Sequence, residues 1–176
     1  MFEIVHQVPD LYTIVKLKQF RKTPGVSFDV ITSAFLPRID SVERVMHESY
    51  AFSPGMVDTI ERPWYMHPYQ DDHLLVLQGT REVDVYTKAY GKIVTFTITP
   101  HQIFKDGALF YDGDALMIWP RGVFHRVSSK SEGSSSINLA VHYPGFSDRN
   151  NFNIYSLNTL NGDYKVIREG HLDQHL

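Results

Sequence analysis

Tyr65-Met66-His67-Pro68-Tyr69-Gln70-Asp71-Asp72, running on to Gly79, and Gly113-Asp114, running on to Pro120-Arg121-Gly122-Val123-Phe124-His125, are the two stretches that decide the fold. Each leads into a run of strand-like composition. Along the strand that begins near Gln70, alternate side chains share a face, so an inward Asp72 takes Leu74 and Val76 with it while His73 and Leu75 point away. In the second stretch Pro120 presets the chain direction and Gly122 permits a tight bend, which returns His125 across from the His67 loop. His67, Asp72 and His125 are thereby brought toward one cavity. Two imidazoles and a carboxylate suit a divalent transition metal and leave coordination positions open for a substrate.

Alternation recurs on both sides of these stretches. Leu11 to Leu17, Val26 to Phe35, His73 to Val85, Lys92 to Ile98, Ala115 to Trp119, Val123 to Ser128 and Ile137 to Tyr143 are rich in β-branched and aromatic residues. Gly79-Thr80, Tyr90-Gly91, Asp106-Gly107, Asp112-Gly113-Asp114 and Glu132-Gly133 punctuate them at hairpin spacing. Ser41 to Glu48 reads equally as a short helix or a strand. The serine-rich segment Ser128 to Ser136 is expected to be a solvated hairpin tip. Gly145 to Asn153 reads as a polar exit, and the tail from Asn158 as an arm of weak periodicity. Ten Tyr, eleven Phe, eleven Gly and nine Pro suit short strands joined by turns. The expectation is an all-β chain closing into a small antiparallel barrel.

A chain of 176 residues is the scale of one well-cored domain. The formal charge of −3 offers no field for a phosphate backbone, so nucleic acid is not an expected partner. With no cysteine, disulfides and thiolate ligands are excluded, and a metal would have to be held by nitrogen and oxygen. The opening Met1-Phe2-Glu3-Ile4-Val5-His6 lacks the pattern of a signal peptide, and no apolar run is long enough for a membrane span, so a cytoplasmic location and no membrane contact are expected.

The two stretches resemble the paired motifs of the cupin superfamily. Asp72, counted back from Gly79, stands where the first motif has its acidic residue, and His67 stands where it has its second histidine. Tyr65 occupies the place of the first histidine. Gly113, Pro120, Gly122 and His125 meet the second motif with one extra residue between Gly113 and Pro120, and Ser129 replaces its closing asparagine. The match spans roughly residues 62 to 142. The resemblance implies a single cupin-type domain over 1–176, a double-stranded β-helix or jelly-roll barrel of the RmlC-like kind. N-terminal strands and an irregular C-terminal arm complete it, and a homodimer is expected because exposed strand edges invite pairing.

On function the sequence leaves three readings open. The first is a cupin that binds a divalent metal (Fe, Mn, Ni or Zn) through His67, Asp72 and His125 and serves oxygenation or isomerisation of a small organic molecule. Gln70 could reach the same cavity, and a one-residue bulge would put His73 in place of Asp72. The second follows from Leu74 to Tyr86, which is similar to the matching strand pair of the metal-free dTDP-keto-deoxysugar epimerases. That resemblance implies His67 as base and a late-strand tyrosine, Tyr143 being nearest, as acid. A diphosphate substrate would need several basic residues, and only Arg62, Arg81, Arg121 and Arg126 lie near the motifs. The third is a non-catalytic pocket for a small-molecule ligand, with Tyr65, Gln70 and Trp119 among its walls. Against all three stands the plain alternative that His67 caps a loop, Asp72 binds a turn and His125 is a satisfied core histidine. His6, His47, His101, His142, His171 and His175 are expected to be structural or exposed.

Overall fold

The computed structural model describes residues 4–175. The chain runs through strands β1 (Ile4–Val8), β2 (Tyr12–Lys16), β3 (Lys18–Thr23), β4 (Val26–Val30), β5 (Ser41–His47), β6 (Phe52–Ser53), β7 (Trp64–Met66) and β8 (Gln70–Tyr86). It continues with β9 (Val94–Ile98), β10 (Gln102–Lys105), β11 (Ala108–Asp112), β12 (Ala115–Trp119) and β13 (Phe124–His142). A short helix α1 (Asp148–Asn151), strands β14 (Ile154–Asn158) and β15 (Asp163–Arg168), and a 3-10 turn over Gly170–Asp173 follow. The all-β jelly-roll architecture expected from the two stretches is the one observed, and its pairing is antiparallel throughout.

Its backbone is the long pairing of β8 with β13. Asp72 faces Ala140 at one end and Val85 faces His125 at the other. The first half of β8 also pairs with β12, and its second half with β9. Between the halves the register slips, with Arg81 opposite Ser129 but Gly79 opposite Ser134. A bulge of this kind bends the strand and strengthens its twist. Gly79 adopts φ +71°, and a side chain there would run into the Gly133 carbonyl. Both long strands turn this corner together, which is why each can contribute residues to both ends of one cavity.

Alternation places the core. Val94, Phe96 and Ile98 of β9 point inward while Thr95 and Thr97 stay half-exposed. They pack with Leu11, Tyr12, Ile14, Leu74, Val83, Val85 and Met117 in one cluster, where each fully buried large side chain contributes about 1.5–3 kcal/mol. A second cluster of Trp64, Met66, Tyr86, Phe124 and Tyr155 joins β7 and β14 to the barrel. β1 and β2 extend the main sheet through β12, whereas β3 and β4 form a separate hairpin with Phe20, Val26, Phe28 and Val30 exposed.

Three expectations are corrected. Ser128 to Ser136 is not a solvated tip, because it lies within the continuous β13, Phe124–His142, and Ser128, Ser129, Ser134 and Ser136 are buried. These serines turn inward because the corner must be made from small residues. Gly79-Thr80 and Glu132-Gly133 likewise mark that corner and not hairpin ends. The C-terminal arm is regular where sequence periodicity is weak: β14 pairs with β7 and β15, and the 3-10 turn folds back over the barrel mouth. Ser41 to Glu48, open between helix and strand, contains a strand that pairs with β13 from Ser41 to His47.

Candidate functional site

The two histidine segments are tied to each other before any side chain is considered. The Gly122 amide, in a turn with φ +81°, donates to the His67 carbonyl at 2.9 Å, and Tyr65 pairs with His125 where β7 meets β13. His67 directly follows β7 and points into the barrel, where it is 7% exposed; Asp72 and His125 are 1% and 4% exposed. The Nε2 atoms of His67 and His125 lie 3.5 and 4.0 Å from Asp72 Oδ2, and one ligand atom from each residue falls within 4.8 Å of the others.

Both ring orientations are fixed from behind. His67 Nδ1 lies 2.7 Å from the Asn151 carbonyl, and His125 Nδ1 lies 3.1 Å from the Val123 carbonyl. A carbonyl only accepts, so each Nδ1 carries a proton and each ring turns its Nε2 toward Asp72. Asp72 is held with equal care. Its Oδ1 accepts from Gln70 Nε2 and Asn138 Nδ2, both at 2.7 Å, and its Oδ2 accepts from the indole N–H of Trp119 at 2.9 Å. Asn151 Nδ2 in turn donates to Gln70 Oε1, and Asn138 Nδ2 also donates to Glu43 Oε2.

The electrostatics follow. Burial alone would raise the Asp72 carboxyl, but His67, His125 and the two amide donors outweigh it and hold the group below the usual carboxylate range. Burial pushes His125 down to about 4, helped by His67 beside it. Burial raises Glu43 and the Tyr65 phenol. The site is therefore an ionised carboxylate facing the Nε2 atoms of two imidazoles, with Glu43 and Tyr65, both raised by burial, close by. Three lone-pair donors of this kind suit either a shared proton or a cation.

They open on a cavity of about 430 Å³, within the range of small-molecule sites. Tyr65, Trp119, Arg81, Glu43, His47 and Asn138 line it with the triad. Of the residues expected from sequence, Tyr65, His67, Asp72, Trp119 and His125 come together on this cavity, and Gln70 is buried behind Asp72. Tyr143 does not join them. Its phenol donates to Asp71 at 2.7 Å and its ring lies under the Arg121 guanidinium at 4.0 Å. His73 is on the opposite face of β8, each ring nitrogen against a backbone carbonyl, Leu139 at 2.9 Å and Phe35 at 2.8 Å, so the register that selects Asp72 is the one observed. His47, expected to be structural or exposed, lines the cavity. Glu43, Asn138 and Asn151 were missed as site residues, and Arg81 was noted only as one of four basic residues near the motifs. The alternation of Glu43, Val45 and His47 on β5 was the one signal for the first of these.

No family model matches the sequence, and no curated protein matches it in sequence. Solved structures match its fold. The sugar 3,4-ketoisomerase QdtA of Thermoanaerobacterium thermosaccharolyticum, in complex with TDP, superposes with TM-score 0.52 at 14% identity, over 78% of this chain and 84% of that one. A dTDP-4-dehydrorhamnose 3,5-epimerase from Sulfolobus tokodaii gives 0.57 at 16%, over 83% and 77%. The RmlC epimerase of Mycobacterium tuberculosis gives 0.52 at 13%, over 78% and 66%. These are RmlC-like members of the cupin superfamily, so the fold read from the two motifs is the fold found.

A pH dependence follows from His125. Unfolded, its imidazole takes a proton near pH 6.5; folded, it resists until about 4. Between those values the unfolded chain binds the extra proton, so stability is complete above about 6.5 and falls as the pH drops toward 4. From about pH 7.5 to about pH 5 the native protein should lose about 2 kcal/mol more than His125→Gln in urea unfolding. Equal losses would show that His125 does not carry this burden.

Proposed function

We propose that the protein is an acid–base isomerase or epimerase of a small carbonyl compound of the keto-sugar class. The observation that carries this reading is the His67 imidazole, its Nδ1 bound to a carbonyl and its Nε2 turned into the cavity 3.5 Å from Asp72 Oδ2. His67 Nε2 takes the proton from a carbon next to the substrate carbonyl. The imidazolium that forms is stabilised by the Asp72 carboxylate, which three neutral donors keep ionised. Tyr65 replaces Tyr143 as the acid in this scheme, since its phenol lines the same cavity and burial keeps it protonated. The fold neighbours, whose names describe sugar ketoisomerases and epimerases, support the reaction class.

The convergence of His67 Nε2, His125 Nε2 and Asp72 Oδ2 also favours a second reading, a divalent metal held by these three residues. Bound there, the cation would polarise a substrate carbonyl as a Lewis acid. His67, His125 and Asp72 would hold it, and the carbonyls of Asn151 and Val123 would keep the imidazoles oriented. A homodimer through the β3–β4 hairpin belongs to the proposal, supported by exposed Phe20 and Phe28; sedimentation of a native chain against Phe20→Ser/Phe28→Ser should show a dimer lost. No helix among the described residues is long and apolar enough to cross a membrane, and the cytoplasmic expectation is kept with the proposal.

The test is exchange in D2O together with elemental analysis. Incorporation of deuterium next to the carbonyl of a keto sugar, by protein free of metal, should fall about 10²- to 10⁴-fold in His67→Gln. Near-stoichiometric metal that disappears in His67→Ala/His125→Ala would move the assignment to the second reading. Neither exchange nor metal would overturn both.

A further inference from the structure

At the corner of β8, away from the triad, the cavity holds polar groups that the scheme above does not use. Arg81 is 2% exposed. Its Nε–H donates to Ser134 Oγ at 3.1 Å and its Nη2 donates to the Val45 carbonyl at 2.9 Å. These bonds use two of the five N–H groups of a guanidinium. Among the described residues no carboxylate forms an ion pair with Arg81, and burial lowers its pKa to about 10.

His47 sits directly beside it, because β5 pairs with β13 so that His47 faces Ser134 and Val45 faces Ser136. Burial, and then the Arg81 charge, push His47 down to about 4. Its Nδ1 is buried with no hydrogen-bond partner, and so is the hydroxyl of Ser136, a residue 1% exposed. All three side chains line the cavity that holds His67. Buried polar groups are ordinarily satisfied, and an uncompensated guanidinium is the costliest exception. Three such exceptions on one wall mark a place built for something that supplies acceptors and a negative charge.

We propose that Arg81, His47 and Ser136 form an anion subsite that holds the carboxylate of the substrate, making that substrate a keto or hydroxy acid of sugar size. The guanidinium matches a carboxylate in charge and offers its free N–H groups side by side, and Ser136 adds a hydroxyl donor. A nucleoside diphosphate fits poorly, since Glu43, Asp72, Asp148 and Asp173 line the same cavity and Arg81 is the sole Lys or Arg among its walls. The single positive charge of Arg81 matches one carboxylate and not the two or more charges of a diphosphate. Naming the carboxylate as the substrate's rests on the isomerase reading; the subsite itself rests on the buried Arg81 charge without a paired carboxylate and on the unpartnered His47 Nδ1 and Ser136 hydroxyl.

Titration calorimetry of the intact protein with D-glucuronate, D-glucose and TDP tests this. Glucuronate should bind where glucose does not, and Arg81→Gln should weaken it about 10- to 100-fold. Ser136→Ala, a smaller change that also reports should Arg81→Gln not fold, should weaken it several-fold. His67→Gln should lose exchange under the isomerase reading, whereas a native protein that binds glucuronate through Arg81 but catalyses no exchange would speak against the isomerase and not against the subsite. Glucuronate binding no better than glucose, or unaltered in Ser136→Ala and Arg81→Gln, would overturn the proposal. Tight, Arg81-dependent binding of TDP in place of glucuronate would overturn the carboxylate assignment.

Discussion

A carboxylate 1% exposed inside an apolar barrel is the constraint around which the rest is arranged. An unpaired buried charge would neutralise itself by taking a proton. Asp72 avoids this through Gln70, Asn138 and Trp119, each presented by a different strand. Because those donors are neutral, they stabilise the anion without consuming its charge. That charge stays directed through Oδ2 at His67 and His125. The remaining polar contacts lead back to the same group: Asn151 fixes both His67 and Gln70, and Asn138 connects Asp72 to Glu43.

The fold makes this possible through one long antiparallel pair. β8 supplies Gln70 and Asp72 before its corner and Arg81 after it, while β13 supplies His125, Ser134, Ser136 and Asn138 along the same path. The corner needs Gly79 because the Gly133 carbonyl occupies the space a side chain would take. Two chemically different ends of one cavity, anionic at Asp72 and cationic at Arg81, thus come from the same two strands. A ligand spanning them would be oriented by charge before any proton moved.

The barrel and the triad were legible in the sequence because they depend on local signals. Strand alternation, the Pro120-Arg121-Gly122 turn and the spacing from His67 to Asp72 to Gly79 are properties of short segments. What was not legible depends on long-range register. Whether Ser128 to Ser136 is a tip or a corner is decided by its partner, and serine composition suggests the wrong answer. Arg81, Asn138 and Asn151 look like ordinary surface or turn residues until pairing buries them. Tyr143 failed as a site residue for the same reason: it lies one residue beyond β13, and Asp71 and Arg121 hold it outside the cavity.

The central claim, that His67 and His125 each carry a proton on Nδ1 and turn Nε2 toward an ionised Asp72, is tested most directly by long-range proton–nitrogen NMR correlation of ¹⁵N-histidine-labelled protein at neutral pH. The account predicts that His125 shows the neutral pattern with its proton on Nδ1, and that His67 Nδ1 is protonated as well. A His125 with its proton on Nε2, or one doubly protonated at neutral pH, would contradict it.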